Sequence, residues 1–566
     1  MNKQTAALLA AHFDTAFAAP DGIRKLRELI LTLAMQGKLV PQDPRDPPAS
    51  QLLKDIEAEK SRLWRDGKIK APKPLPEITT TEIAYALPPG WEWVRFGNIA
   101  QHNSGKTLDK GRNTGQSRKY ITTSNLYWGR FELDSVRQML IREDELEKCT
   151  ARKNDLLICE GGEAGRAAVW NYETDVCFQN HIHRARLYGD IDPYFAYRFF
   201  EKLNATREIE KHRKGVGISN MSSKALASIA FPLPPLPEQH RIVAKIDQLM
   251  ARCDELERLR AEREQKRRSV HAAALKQLLD AQAADRIADA WQFISQHFGD
   301  LYAVKENVTE LRKAILQLAV MGKLVPQDPS DPPASQLLKD IEAEKSRLWR
   351  NGKIKAPKPL PEIKPAEIPY ALPLGWVWST LAQVALINPR NTAADSAEVS
   401  FVPMTLIGTG NDGAHEQEVR AWADVKQGFT HFAEGDIGVA KITPCFENSK
   451  ACVFSKLKSG LGAGTTELHI VRPVAEMIAP RYVLTYLKSP QFLLVGQTKM
   501  TGTAGQKRLP KEFVESNPFP LPPLPEQRRI VAKIDQLMAL CDTLEQQINA
   551  ATNKQTELLD ALMAPV

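Results

Sequence analysis

Residues 104–107 read Ser-Gly-Lys-Thr, the closing half of a phosphate-binding loop. Such a loop needs a glycine five residues before Gly105, so that backbone N–H groups can wrap the phosphates. This chain has Ala100 there, and the residues after Thr107 read as a loop of Lys, Arg and Asn rather than a helix. Nucleotide hydrolysis is therefore not expected. His181-Ile-His183 sets two imidazoles on one face of a strand, as a metal site could. No third ligand stands at a suitable spacing, so surface or ligand contacts are the better reading. The seven cysteines (149, 159, 177, 253, 445, 452, 541) form no Cys-x-x-Cys pair and suggest neither a zinc ribbon nor a disulfide framework. No nucleophile–base arrangement stands out. The chain reads as a non-enzyme: no catalytic, cofactor-binding or metal-binding residues are assigned.

Asp-Pro-Pro-Ala at 46–49 and 331–334 is close to the Asp-Pro-Pro-aromatic motif with which amino-methyltransferases stack a flipped base. Ala49 and Ala334 offer nothing to stack, and Asn-Pro-Phe-Pro at 517–520 lacks the second proline. These stretches read as extended linker. Two polar clusters suit nucleic acid better. Ser104, Lys106, Lys110, Arg112, Asn113, Arg118, Tyr120, Thr122 and Asn125 lie close together, and Arg213, Lys214, Ser219 and Asn220 follow later. A second region holds Asn388, Arg390, Asn391, Lys441, Thr443, Asn448, Thr465, Thr466, Lys499, Thr501, Gln506 and Lys507. Lys, Arg, Ser and Thr can donate to phosphates, while Arg and Asn can read guanine and adenine edges.

The elements that must carry these clusters are duplicated. Residues 37–78 return at 322–363 with only Ser330 in place of Arg45 and Asn351 in place of Asp66. Residues 231–257 return at 519–545 in the same way. The stretches between, about 90–230 and 375–518, show no obvious likeness. Two units follow, 21–285 and 306–566, each with four parts. A short helix carries Ile23, Leu26, Ile30, Leu33 and Ala34 on one face, or Val308, Leu311, Ile315, Leu318 and Ala319, with Gly37 and Gly322 placed for C-caps. A Pro-rich connector holds a helix that opens at Ser50 as N-cap and closes at Gly67. A variable domain follows, with short β-like runs (155–160, 167–170, 436–441, 467–473) and helical patches (192–203, 480–489). A long helix ends each unit. Its heptad seam is Ile242, Ile246, Leu249, Cys253 and Leu256, or Ile530, Ile534, Leu537, Cys541 and Leu544. Such a seam wants a partner helix, and its own copy packed antiparallel is the expected one. Acids and bases alternate over 252–268, which reads as a solvated helix face.

The expected fold is α+β: two α/β recognition domains joined by two long antiparallel helices in a coiled coil, with pseudo-two-fold symmetry. The expected boundaries are 1–85 (helices and connector), 86–235 (first domain), 236–370 (central repeated region), 371–522 (second domain) and 523–566 (last long helix). With 76 basic and 68 acidic residues, a net charge of +8 permits a polyanionic partner without demanding one. The first 20 residues include His12 and Asp14 and read as an amphipathic helix, and the protein is expected in the cytoplasm.

The phrase Pro-Leu-Pro-Pro-Leu-Pro-Glu-Gln running into a heptad helix, present twice beside Gly-Lys-Leu-Val-Pro-Gln-Asp-Pro, resembles the specificity subunits of type I restriction–modification systems. The resemblance covers essentially the whole chain. It implies that each variable domain recognises half of a bipartite, asymmetric target in double-stranded DNA. It also implies that the repeats form a spacer and dock two modification (methyltransferase) subunits. S-adenosylmethionine, ATP and Mg would then belong to partner subunits, the ATP to restriction subunits that translocate and cut DNA. From the residues alone, a non-DNA coiled-coil adaptor joining two copies of an enzyme explains the frame as well. A DNA methyltransferase does not, for want of a cofactor loop.

Overall fold

A computed structural model describes residues 3–71, 74–107, 109, 111–214, 219–356, 362–503 and 505–564. The chain divides into two compact units: Met1–Glu262 with Ala551–Val566, and Arg263–Ala550. Both mix helix and sheet. No helix is long and apolar enough to cross a membrane among the described residues.

In the first repeat the short helix is Gly22–Met35, the connector helix Ala49–Arg65 and the long helix Leu236–Asp280; their counterparts in the second are Lys305–Val320, Ala334–Arg350 and Leu524–Met563. The N-terminal run forms its own helix, Lys3–Phe17. Gly37 (φ 64°) and Gly322 (φ 68°) end the short helices in the left-handed conformation. Lys38 N then reaches Leu33 O (2.8 Å) and Lys323 N reaches Leu318 O (2.9 Å), the Schellman closure. Ser50 does not cap the connector helix. The helix begins one residue earlier, after Pro48, whose extended backbone (ψ 154°) and fixed ring set the first turn.

Each variable domain opens on a strand, Glu92–Arg95 or Val377–Thr380, that pairs antiparallel with the strand leading into the long helix, Ala230–Leu233 or Pro518–Leu521. Between them lie two four-stranded sheets. In the first domain one sheet runs in the order Ala167–Val169, Leu156–Cys159, Ile182–Leu187, Ala100–Ser104, all antiparallel. In the second domain its equivalent is Ala451–Val453, Ile437–Ala440, Leu468–Pro473, Ala385–Ile387. The other sheet runs Arg137–Ile141, Gln116–Ile121, Val176–Phe178, Thr150–Ala151, against Glu418–Ala421, Glu398–Val402, Leu461–Gly464, Thr430–Ala433. Its central pair is parallel in both domains. Two stretches without visible likeness in sequence thus share one topology.

The long-helix seams fill the cores of their own units. Ile242, Ile246 and Cys253 are buried in one cluster with Ile23, Ile30, Ala34 and the domain residues Phe195 and Phe231, and Leu249 packs on it. Ile530, Ile534 and Cys541 are buried with Ile315, Ala319, Tyr482 and Phe519, with Leu537 and Leu544 beside them. Leu256 is 46% exposed. The expectation that this seam is kept for the other long helix is therefore corrected over these turns: the short helix and the variable domain bury it. Ion pairs fix the same contact, from Arg27 to Asp254 (2.7 Å) and Glu257 (2.8 Å), and from Arg312 to Asp542 (2.7 Å) and Glu545 (3.3 Å).

Candidate nucleic-acid interface

A strand pair fixes the equivalences on which the two candidate sites can be compared. Arg186 grips Asp155 through two bonds (2.8 and 2.7 Å), and Arg472 grips Asp436 in the same way (2.8 and 2.7 Å). Three residues before each arginine stands a buried histidine. His183 Nε2 donates to Met221 O (2.9 Å), and His469 Nε2 donates to Leu509 O (2.9 Å). Both imidazoles are spent on tying a late loop to the sheet. Burial, with Lys441 and Lys511 nearby, pushes the His469 pKa below its ordinary value. His181 is exposed, and no cluster suited to a metal occurs among the described residues.

Past these anchors the strands run out into loops. In the first domain Glu160 N donates to His181 O (2.8 Å), Met221 N to Glu160 O (2.8 Å), and Lys214 and Asn220 exchange backbone bonds (2.8 and 2.9 Å). In the second, Lys441 N donates to Glu467 O (3.0 Å), Leu509 N to Lys441 O (2.7 Å), and Thr501 and Arg508 exchange bonds (3.0 and 2.8 Å). Bond by bond, Glu160 corresponds to Lys441, His181 to Glu467, Asn220 to Arg508 and Lys214 to Thr501. The scaffold is the same; the charges are not.

This end of the fold gathers many of the expected residues. In the first domain it holds Ser104, exposed, beside His183 (3.3 Å); Lys106, bridged to Gln179 and ion-paired with Glu145; and the exposed Lys214 and Asn220. Ser219 pairs with Gly162 at the same edge. Lys106 holds the Glu145 carboxyl below its ordinary pKa. In the second domain it holds Lys441, Thr465, exposed Thr466, Thr501 and Lys507; Thr443 N donates to Lys507 O (3.0 Å) and its hydroxyl accepts from Lys507 N (3.1 Å). Gln506 and Lys499 are exposed beside Thr501, and Asn448 is exposed on the turn after Thr443. Arg112 extends 90% exposed from the loop after Thr107, where Asn113 is held by Thr107 O (3.2 Å). Lys110 lies outside the described residues.

Other expected contacts are engaged within the fold, some buried and some, such as Arg390, exposed. Tyr120 is 2% exposed in a small core with Met139 and Cys177. Thr122 and Asn125 are buried in a turn in which Asn125 Oδ1 accepts from Thr122 N (2.9 Å) and its amide donates to Glu132 O (2.9 Å). Arg118 lies along its strand toward Gln116 (2.9 Å) and Glu143 (3.4 Å). Arg213 is turned inward to Ala164 O (2.8 Å). Asn388 Oδ1 accepts from Ile470 N (2.8 Å), Arg390 donates to Phe429 O (3.1 Å), and Asn391 donates to Phe432 O (2.7 Å) while accepting from Arg472 (2.9 Å). These side chains complete loops, which is the other common use of Asn, Thr and Arg. Glu160, Glu467 and Arg508 were missed. Setting 155–160 beside 436–441, each an Asp, four mostly apolar residues and a charge, would have found the first.

Two clusters of donors and acceptors, each on the loops of one domain, can bind a polar ligand by reading. The chain matches a family model described as "Type I restriction modification DNA specificity domain" over residues 88–264 and 373–554, once for each domain with the first part of the long helix after it. The chain belongs to that family. Among curated specificity-family relatives, the type I restriction enzyme EcoAI specificity subunit of Escherichia coli is 56% identical over 265 residues, covering 47% of this chain and 44% of that protein. The EcoEI specificity subunit of Escherichia coli is 53% identical over 266 residues, again 47% and 44%. The chain thus spans under half the length of these relatives. The HsdS subunit from Thermoanaerobacter tengcongensis aligns over 86% of this chain and 99% of its own, at 18% identity and a TM-score of 0.43. Both matched stretches begin just before the strand that opens a recognition domain, so each contains one full copy of the candidate interface.

Proposed function

We propose that this chain is the non-catalytic DNA-recognition subunit of a type I restriction–modification complex. Each recognition domain reads one half of a bipartite, asymmetric target through the loops around Ser104, Glu160 and Asn220, or around Lys441, Glu467 and Arg508. One observation carries the reading: two domains of one topology present different charges at equivalent loop positions on a repeated frame. A pair of such domains suits two different half-sites.

The remaining parts take their roles from this. The long helices form the antiparallel spacer, about a pseudo-two-fold axis. Each begins in one compact unit and ends in the other, as a ruler between two readers would. At about 1.5 Å per residue the 40 residues of Leu524–Met563 reach roughly 60 Å, enough to span one turn of DNA, about 34 Å. The repeated frame docks two modification subunits, which hold S-adenosylmethionine. Restriction subunits, using ATP and Mg, complete the complex in the cytoplasm.

Replacing 95–230 with the first domain of another member and mapping methylated bases by long-read sequencing tests the division of labour. One half-site should change while the other half and the gap stay. If both halves changed, independent readout would be wrong. Inserting a heptad-compatible turn at 258–265 should lengthen the gap, and an unchanged gap would remove the ruler.

A further inference from the structure

The most strictly repeated part of the chain is not its core. The connector helices Ala49–Arg65 and Ala334–Arg350 have the same 17-residue sequence. Yet only Ala49, Ile56 and Lys60 are buried in the first, and only Ala334 and Ile341 in the second. The short helix Gly22–Met35 has seven buried residues among its 14, and eight of those 14 positions differ from the other copy. Drift after a duplication runs the other way, because exposed positions tolerate substitution at within about 0.5 kcal/mol. A partner outside the unit would account for an exposed face kept the same in both copies.

That face has a centre. Trp64 is 53% exposed and Trp349 is 49% exposed, at the same point of the two helices. Around Trp64 stand the exposed Arg62, Arg65, Lys68 and Lys70, with Asp66 the one acid between 61 and 71. The second copy keeps all four cations and replaces that acid with Asn351, one of only two changes in 42 residues. The inward side is already occupied: Gly189 N donates to Glu59 (2.9 Å) and the Ile56 side chain lies against Gly189.

We infer that the outward face of the connector helix is a docking site for a protein partner, bound once per copy, whose surface offers an acidic rim around an apolar pocket for the indole. An exposed Trp ringed by Arg is the composition of an interface centre, which a solvated helix does not need. The two copies are alike here while the recognition loops differ, so the occupant is one molecule used twice rather than the two unlike halves of a DNA target. Under the proposed function that occupant is the modification subunit, and the inference rests on that reading for its identity.

The test uses the full chain mixed with the modification subunit of its own system, with stoichiometry read by sedimentation velocity. The unaltered chain should bind two. Trp64→Ala or Trp349→Ala should each leave one tight site, and the double variant should bind at least about 30-fold more weakly at both. Arg65→Glu with Arg350→Glu, which leaves the indoles in place, should weaken both sites as well. Unfolding midpoints should not move, since these side chains lie outside the core. Two full-affinity sites in the double Trp variant would overturn the inference and leave the proposed function standing. So would a loss of DNA affinity with both subunits still bound, or a chain that self-associates through the indoles. An unaltered chain that binds no modification subunit would overturn the proposed function and take the inference with it.

Discussion

The repeated frame and the domains it carries have kept opposite things. Over the connector and the start of the long helix, the frame keeps its side chains. Trp91 Nε1 donates to Glu238 (2.9 Å) and Trp376 Nε1 to Glu526 (2.9 Å); Gln42 and Gln327 reach the same carboxylates (3.0 and 3.2 Å). Gln239 takes Asp192 N (3.0 Å) and Gln527 takes Ala479 N (2.9 Å); Arg241 meets Asp46 and Arg529 meets Asp331, both at 2.6 Å. The domains keep only strand order and a few anchors, and exchange what the loops present. Under the proposed function, binding one partner twice would fix side chains, whereas reading two half-sites would fix a scaffold and free its rim.

The comparison breaks most easily at the latch. Glu238 and Glu526 are each 1% exposed, and each accepts from an indole and an amide. Alanine at either position strands the buried indole N–H, while the amide keeps its bond to Gly37 O (2.7 Å) or Gly322 O (2.8 Å), a loss of about 2–3 kcal/mol. The loss should be alike in Glu238→Ala and Glu526→Ala, as read by denaturant unfolding of the two variants. A large effect in one copy only would show that the latch has stopped being equivalent. Acid should separate the two domains instead. Burial pulls the His102 imidazole down to about 4, and the strand register puts Ile387 at its position in the second domain. A base whose folded pKa is depressed is stable while neutral, above its unfolded value of about 6.5, and loses that stability as pH falls toward the folded value. Between about pH 6.5 and 4 that loss approaches 2–3 kcal/mol. His102→Ile should flatten this part of the stability–pH curve; an unchanged slope would mean that the histidine does not carry it.

What was legible in the sequence follows the range of the interaction. The long helices and the runs 156–159, 167–169, 437–440 and 468–473 could be read because their patterns are local. The shared topology could not, since Ala100–Ser104 finds its partner at Ile182–Leu187, some 80 residues on. The seam at Ile242, Ile246 and Cys253 was seen, but a heptad does not say which neighbour covers it, and the short helix that does lies about 200 residues earlier. Among candidate contacts, Asn125 and Asn391 failed because an amide that closes a loop and one that reads a base have the same composition. Lys441 and Lys214 stand on strand-end loops, where a long cation has fewer internal uses.

Smaller changes sharpen the contrast at the rim. Lys441→Ala and Arg112→Ala should each weaken specific DNA binding, by about 1–3 kcal/mol if they read bases. Titrations at several salt concentrations distinguish the roles, because a lost phosphate contact lowers the salt slope by about 1 and weakens all sequences alike. Unchanged affinity at low salt would remove either residue from the interface. Tyr120→Phe, at a buried ring, should leave DNA affinity as it is.

The smallest expected effect is the most direct test of equivalence. Glu160 and Lys441 occupy the same backbone position, held by matching bonds to Met221 and Leu509. If that position faces DNA in both domains, Glu160→Lys should raise general DNA affinity by about 1 kcal/mol and steepen the salt dependence by about one counterion. Lys441→Glu should do the reverse. Neither change disturbs the scaffold, because the position is defined by backbone N–H and C=O groups that any side chain leaves intact. Opposite shifts of similar size would mean that one rim serves both domains. A shift in the second domain alone would place the first domain's reading elsewhere, around Arg112 and Lys106.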